Sequence, residues 1–139
     1  MKLTWVLMLS FGLCNTLFAQ SSLEVVVKSI KNDKGNIRVG VFKDKESFLK
    51  NAAYGKVVKA QAGEVKVVFD DLPAGTYGIS IIHDEDEDNE LDSGLFGIPK
   101  EGFGFANDAM GTFGPPSFEK ASVKIEGEKK SITITVKYM

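Results

Sequence analysis

The chain has 139 residues, with 17 Lys and Arg against 19 Asp and Glu and a single cysteine. That length suits one domain, and the near-neutral balance excludes a general nucleic-acid or anionic-membrane surface. One cysteine excludes a disulfide framework, so stability must come from a hydrophobic core.

The first twenty residues read as an export signal. Met1-Lys2 precede an apolar run from Leu3 to Leu13, and the small Ala19 follows, which places a signal peptide over 1–20 with the cut near Ala19 or Gln20. The run is too short to cross a bilayer comfortably, so the mature chain is expected to have no membrane span and to reside in the periplasm or outside the cell. Cys14 lies inside this segment. A lipoprotein cut needs a small residue just before the cysteine, and Leu13 is large, so that reading ranks second.

The remainder, 21–139, alternates like strands. Leu23, Val25 and Val27 share one face of a first strand, Asn32-Asp33-Lys34-Gly35 turns, and Ile37, Val39 and Val41 share a face of a second, which together predict a hairpin. Lys45 to Asn51 suits one or two helical turns, with Phe48 and Leu49 covering a sheet edge or core end. Lys56 to Ala60 and Val65 to Phe69 predict a further pair of strands around Ala62-Gly63-Glu64. Pro73 and Gly75 then force a sharp turn, after which Tyr77, Ile79, Ile81 and His83 share a strand face.

From Ser93 to Ser117 no run alternates, although the segment holds six glycines and Phe96, Phe103, Phe105 and Phe113. Those aromatics can bury enough area to order a long loop, and such loops inside a compact domain are usually functional. Val123 and Ile125 predict one more strand, and Ile132, Ile134, Val136 and Tyr138 a last one. About seven strands with short turns predict an all-β fold, a single antiparallel β-sandwich of immunoglobulin-like or transthyretin-like kind with one long Gly/Phe/Pro-rich loop.

Between the Tyr77 strand and that loop, seven of the nine residues from Asp84 to Asp92 are acidic. Outside this run and the signal, the balance turns to 16 basic against 12 acidic residues, so the negative charge is local. Carboxylates packed this densely repel one another unless a cation joins them. Asp84, Asp86 and Asp88 stand two apart, Glu90 can offer its backbone carbonyl, Leu91 can anchor the loop and Asp92 closes it, the alternation of loops that wrap a hard cation in oxygen. It is not an EF-hand. The twelfth position is Leu95, which has no carboxylate, and Asn89 stands where glycine is usual, so further ligands must come from water or elsewhere in the chain. Calcium suits this ligand set better than magnesium, which keeps its waters, or zinc, which wants His and Cys. A solvated acidic turn without an ion is the plainer alternative, and we rank it below the metal reading.

Other chemistry is thinly supported. His83 is the only histidine, and no Ser or Cys motif accompanies it as a nucleophile, so it reads as a packed or hydrogen-bonded strand end. Paired carboxylates can hydrolyse glycosides, but only across a cleft that pushes their pKa values apart. The glycines from Gly102 to Gly114 resemble a phosphate loop, yet Pro115-Pro116 opposes the helix that a phosphate loop requires. Phe103, Phe105 and Asn107 are candidates for a stacking surface that takes a sugar or peptide, while Asn107 and Asp108 can equally cap backbone groups of the loop.

Two stretches, His83-Asp84-Glu85-Asp86-Glu87-Asp88-Asn89-Glu90-Leu91-Asp92 and Gly97 to Asn107 leading to Phe113-Gly114-Pro115-Pro116-Ser117-Phe118, together resemble the small exported bacterial proteins grouped as domain-of-unknown-function family 2141. Leu72-Pro73-Ala74-Gly75-Thr76-Tyr77 is also similar to the turn of transthyretin-like and carboxypeptidase-regulatory-like domains. The resemblance implies an exported β-sandwich and carries no activity with it. The acidic loop here is denser than the Asp-x-Asn-x-Asn-Gly-x-Leu-Asp form common in that family, and Asn89 departs from it.

The sequence thus points to an exported, non-catalytic, calcium-stabilised β-sandwich in which the acidic loop orders the 93–117 loop as a binding surface. The partner is an unknown protein or glycan, and no nucleic acid is expected. The alternative is a structural or assembly partner of a periplasmic or cell-envelope protein that uses a free sheet edge. A carboxylate-dependent hydrolase comes third.

Overall fold

The computed structural model describes Gly12, residues 21–87 and residues 101–139. Apart from Gly12, the expected signal peptide lies outside the described residues, as do Asp88, Glu90 and Asp92 of the acidic run. The strands are β1 (Ser21–Ile30), β2 (Asn36–Phe42), β3 (Tyr54–Lys59), β4 (Gly63–Leu72), β5 (Gly75–Asp84), β6 (Gly102–Phe105), β7 (Ser122–Ile125) and β8 (Lys130–Thr135).

They form two sheets that pack face to face, an all-β sandwich. One sheet runs β4-β1-β8; the other runs β3-β2-β5-β6, with β7 also on β5. β7 pairs with Gly75 to Gly78 and β6 with Ser80 to His83, so the two short strands share one side of β5. The core is the meeting of the apolar faces: Leu23, Val25 and Val27 from β1, Ile37, Val39 and Val41 from β2, and Ile79 and Ile81 from β5 are all at most 2% exposed. Each contributes roughly 1.5–3 kcal/mol by leaving water. No helix among the described residues is long and apolar enough to cross a membrane.

Three expectations about pairing need correction. β1 and β2 are no hairpin: β1 lies between β4 and β8 in one sheet, and β2 lies between β3 and β5 in the other. The expected β3–β4 pair is split between the sheets in the same way. Alternation fixes which side of a strand is buried, and an arch between sheets satisfies that demand as well as a hairpin does. The sandwich is also not wholly antiparallel, because β1 and β8 run parallel from Leu23↔Lys130 to Lys28↔Thr135. Apart from pairing, the stretch read as an unbroken loop contains β6, whose glycines conceal its alternation.

The outer face of the larger sheet carries a second core. Phe103, Phe105 and Ala121 are buried there against Phe48, Ala109 and Met110. Phe48 is its hub, with ring centroids 5.4 Å from Phe42, 6.5 Å from Phe105 and 5.7 Å from Phe118. The rings cross Gly78 so closely that a Cβ there would come within 2.8 Å of Phe118. The turn expected near Lys45 to Asn51 is present and delivers Phe48, whereas Leu49 is 40% exposed.

Candidate metal centre

Strand β5 carries the site because a strand alternates sides. His83 points inward, opposite Ile37, and Asp84 points outward, opposite Asn36, in the β2–β5 register. On the other flank His83 pairs with Gly102, so the next residue out, Glu101, stands beside Asp84 on the same outer face. After Asp84 the chain turns, with Glu87 in a left-handed conformation at φ 58°, and Asp86 joins the outer group. The turn fits only because residue 35 is glycine. Gly35 has φ +65°, and a Cβ there would lie 2.0 Å from the Asp84 carbonyl oxygen.

Carboxylate oxygens of Asp84, Asp86 and Glu101 all lie within 4.8 Å of one another. Asp84 is fully buried and Glu101 is 5% exposed, while Asp86 faces solvent. Glu85, between the two aspartates, is drawn elsewhere: its Oε1 lies 3.1 Å from Lys31 Nζ. The group can therefore present oxygen ligands from a sheet strand, a turn and the residue leading into β6, and oxygen is what a hard cation takes.

Of the ligands expected from the acidic run, Asp84 and Asp86 are brought together, and Asp88, Glu90 and Asp92 fall outside the described residues. Sequence reasoning missed Glu101. The available signal was the alternation Glu101, Phe103, Phe105 on one face of β6, which the intervening Gly102 and Gly104 hide from any hydrophobicity pattern. Those glycines are required on the inner face: a Cβ on Gly102 would meet Tyr138 at 2.4 Å and Val136 at 2.5 Å.

The candidate ligand-binding aromatics sit inside. Phe103 and Phe105 are each 8% exposed, with ring centroids 6.1 Å apart, so their place is the second core. Asn107, at φ 62°, donates from Nδ2 to the carbonyls of Lys120 at 3.0 Å and Ser122 at 2.9 Å, while Asp108 Oδ1 accepts from the Thr135 N–H at 3.0 Å. Both residues fasten backbone, and the groups they hold lie beyond the 93–117 segment, at Lys120, Ser122 and Thr135, instead of within the loop itself as the capping alternative expected. In the described part of the long segment the exposed aromatic is Phe113, at 101%.

His83 is fully buried with both ring nitrogens engaged. Nε2 lies 2.7 Å from the Lys34 carbonyl, which only accepts, so that nitrogen carries the hydrogen. Nδ1 lies 2.7 Å from the Tyr138 hydroxyl, which accepts from the Lys31 N–H at 3.1 Å. Burial, the largest influence, raises the Tyr138 phenol above its ordinary pKa.

A family model described as "Uncharacterized protein conserved in bacteria (DUF2141)" matches residues 25–133. No curated protein and no solved structure matches the chain.

Proposed function

The chain belongs to the DUF2141 family, and from that premise we propose that it is an exported, non-catalytic β-sandwich stabilised by calcium, with the 93–117 segment as its binding surface. The observation that carries the reading is the convergence of Asp84, Asp86 and Glu101 within 4.8 Å, two of them buried. Calcium holds oxygens at about 2.3–2.6 Å, so its ligands stand up to about 5 Å apart, and three oxygens all within 4.8 Å of one another fall inside that span.

An ion here does two things. It offsets repulsion among carboxylates that burial would otherwise intensify. It also joins Asp86, which precedes segment 88–100, to Glu101, which follows it, and so fixes both ends of that segment. A non-catalytic role is supported by His83, which offers no ring nitrogen to solvent. Phe113 is the exposed anchor through which a protein or glycan would contact the segment.

The test is thermal unfolding of metal-free protein with added calcium. The melting temperature should rise, a chelator should reverse the rise, and Asp86→Ala should abolish it. A wild-type protein whose unfolding ignores calcium rejects the reading.

One observation favours the assembly alternative. β3 pairs with β2 on one side only among the described residues, and its Val57 is 53% exposed, as befits a free edge. On that reading association with an envelope protein survives Phe113→Ala and is lost with Val57→Lys. A carboxylate-dependent hydrolase fits less well, since the groove lined by Val58, Lys59, Gln61, Glu64, Val65 and Lys66 opens between β3 and β4 and none of the three carboxylates lines it.

A further inference from the structure

Asn36 is the residue directly opposite Asp84 in the β2–β5 register. Directly opposed residues of an antiparallel pair project to the same face with their Cβ atoms about 4.5–5.5 Å apart. Glu101 occupies the corresponding place on the far side of Asp84, by continuation of the β5–β6 register. Asn36, Asp84 and Glu101 therefore form one rung across three adjacent strands. Asp86 closes on the carboxylate end of that rung.

The side-chain amide oxygen of Asn36, Oδ1, is fully buried and has no hydrogen-bond partner. Buried acceptors are nearly always satisfied, so an orphan of this kind asks for an explanation. Fastening the carboxylates does not supply one. Carboxylates only accept, and an amide serving them would turn its NH2 inward. Here the buried half is the oxygen, the half a cation attracts, and calcium takes amide oxygens alongside carboxylates.

We infer that Asn36 supplies a fourth protein ligand, through Oδ1, to a calcium ion held by Asp84, Asp86 and Glu101. The inference rests on the calcium reading above and extends it to a strand that the acidic run does not reach. It makes the site a property of the sheet. Two of the ligands are fixed by strand register, a third continues it, and the turn adds the last.

Terbium, which replaces calcium and whose luminescence lifetime in H2O and D2O counts the waters on the ion, tests this on the purified protein. Wild type should bind terbium, with calcium as competitor. Asn36→Ala should carry one more water on the ion and bind calcium roughly 10- to 100-fold more weakly, a loss of the size seen when the surroundings of metal ligands are disturbed. Asn36→Asp, which restores an oxygen of the same reach, should bind without the extra water. Should Asn36→Ala fail to fold, Asn36→Ser takes its place: its shorter side chain should leave one more water on the ion and weaken calcium binding, and a folded Asn36→Ser with wild-type hydration and affinity overturns the ligand role. Asn36→Ala with wild-type hydration and affinity also overturns it while leaving the three-carboxylate site standing. A wild type that binds neither ion removes both.

Discussion

His83 and Asp84 are neighbours on one strand, both 0% exposed, and the fold treats them in opposite ways. His83 faces the inner core and is closed off: the Lys34 carbonyl takes its Nε2 hydrogen, and the Tyr138 hydroxyl fills its Nδ1. Asp84 faces outward into a group of oxygens, where Glu101 and Asp86 bring more negative charge toward it. Burial alone therefore does not mark a functional group. What separates the two is the neighbourhood each strand face provides, a carbonyl and a hydroxyl matched to the ring nitrogens of His83 and two further carboxylates beside Asp84.

The contrast can be attacked from either side. The largest effect should come from the outer core that holds β6 beside β5: Phe105→Ala removes a buried ring from the aromatic group and should cost about 3–5 kcal/mol in denaturant unfolding. Because β6 follows directly on Glu101, the same change should also weaken any stabilisation by calcium. Next comes the ion. With calcium at about one hundred times its Kd, stability should rise by about 2.7 kcal/mol, and Asp84→Asn should erase most of that gain.

On the inner side, Tyr138→Phe leaves His83 Nδ1 without its hydrogen-bond partner and the Lys31 N–H without its acceptor, and should cost about 1–3 kcal/mol with the calcium response intact. Its pH signature is separate. The folded phenol holds its proton more tightly than the unfolded one, whose pKa is about 10. The folded state therefore binds more protons above that pH, and stability should fall as pH rises past about 10. Burial raises Tyr77 in the same direction, so Tyr138→Phe should remove only part of the alkaline loss. The smallest effect belongs to Phe113→Ala, which should leave stability within about 0.5 kcal/mol because the ring is wholly exposed. A partner that nevertheless lets go would identify the ring as a contact.

Much of this was legible in the chain. Alternation at Leu23 to Val27, Ile37 to Val41 and Tyr77 to His83 located strands and their buried faces, and the spacing of Asp84 and Asp86 singled out two of the three carboxylates. Pairing was not legible. Ile30 to Asn36 carries the chain across the sandwich, and a short polar turn looks the same whether it reverses within a sheet or bridges two. Glu101 and β6 escaped for another reason: their inner face is glycine, chosen for the nearness of Val136 and Tyr138, and the absence of a side chain leaves no hydrophobic mark. Asn36 escaped because its meaning depends on which residue of a distant strand comes to lie opposite it.

The parallel pairing of β1 with β8 carries a mechanical consequence. Ser21 and Thr135 emerge at opposite ends of that pair, so tension applied between them pulls the two strands lengthwise past each other. Every rung from Leu23↔Lys130 to Lys28↔Thr135 is then loaded at once, instead of peeling open one after another as a hairpin tugged at its open end would. A domain joined this way should resist stretching well beyond what its modest size suggests.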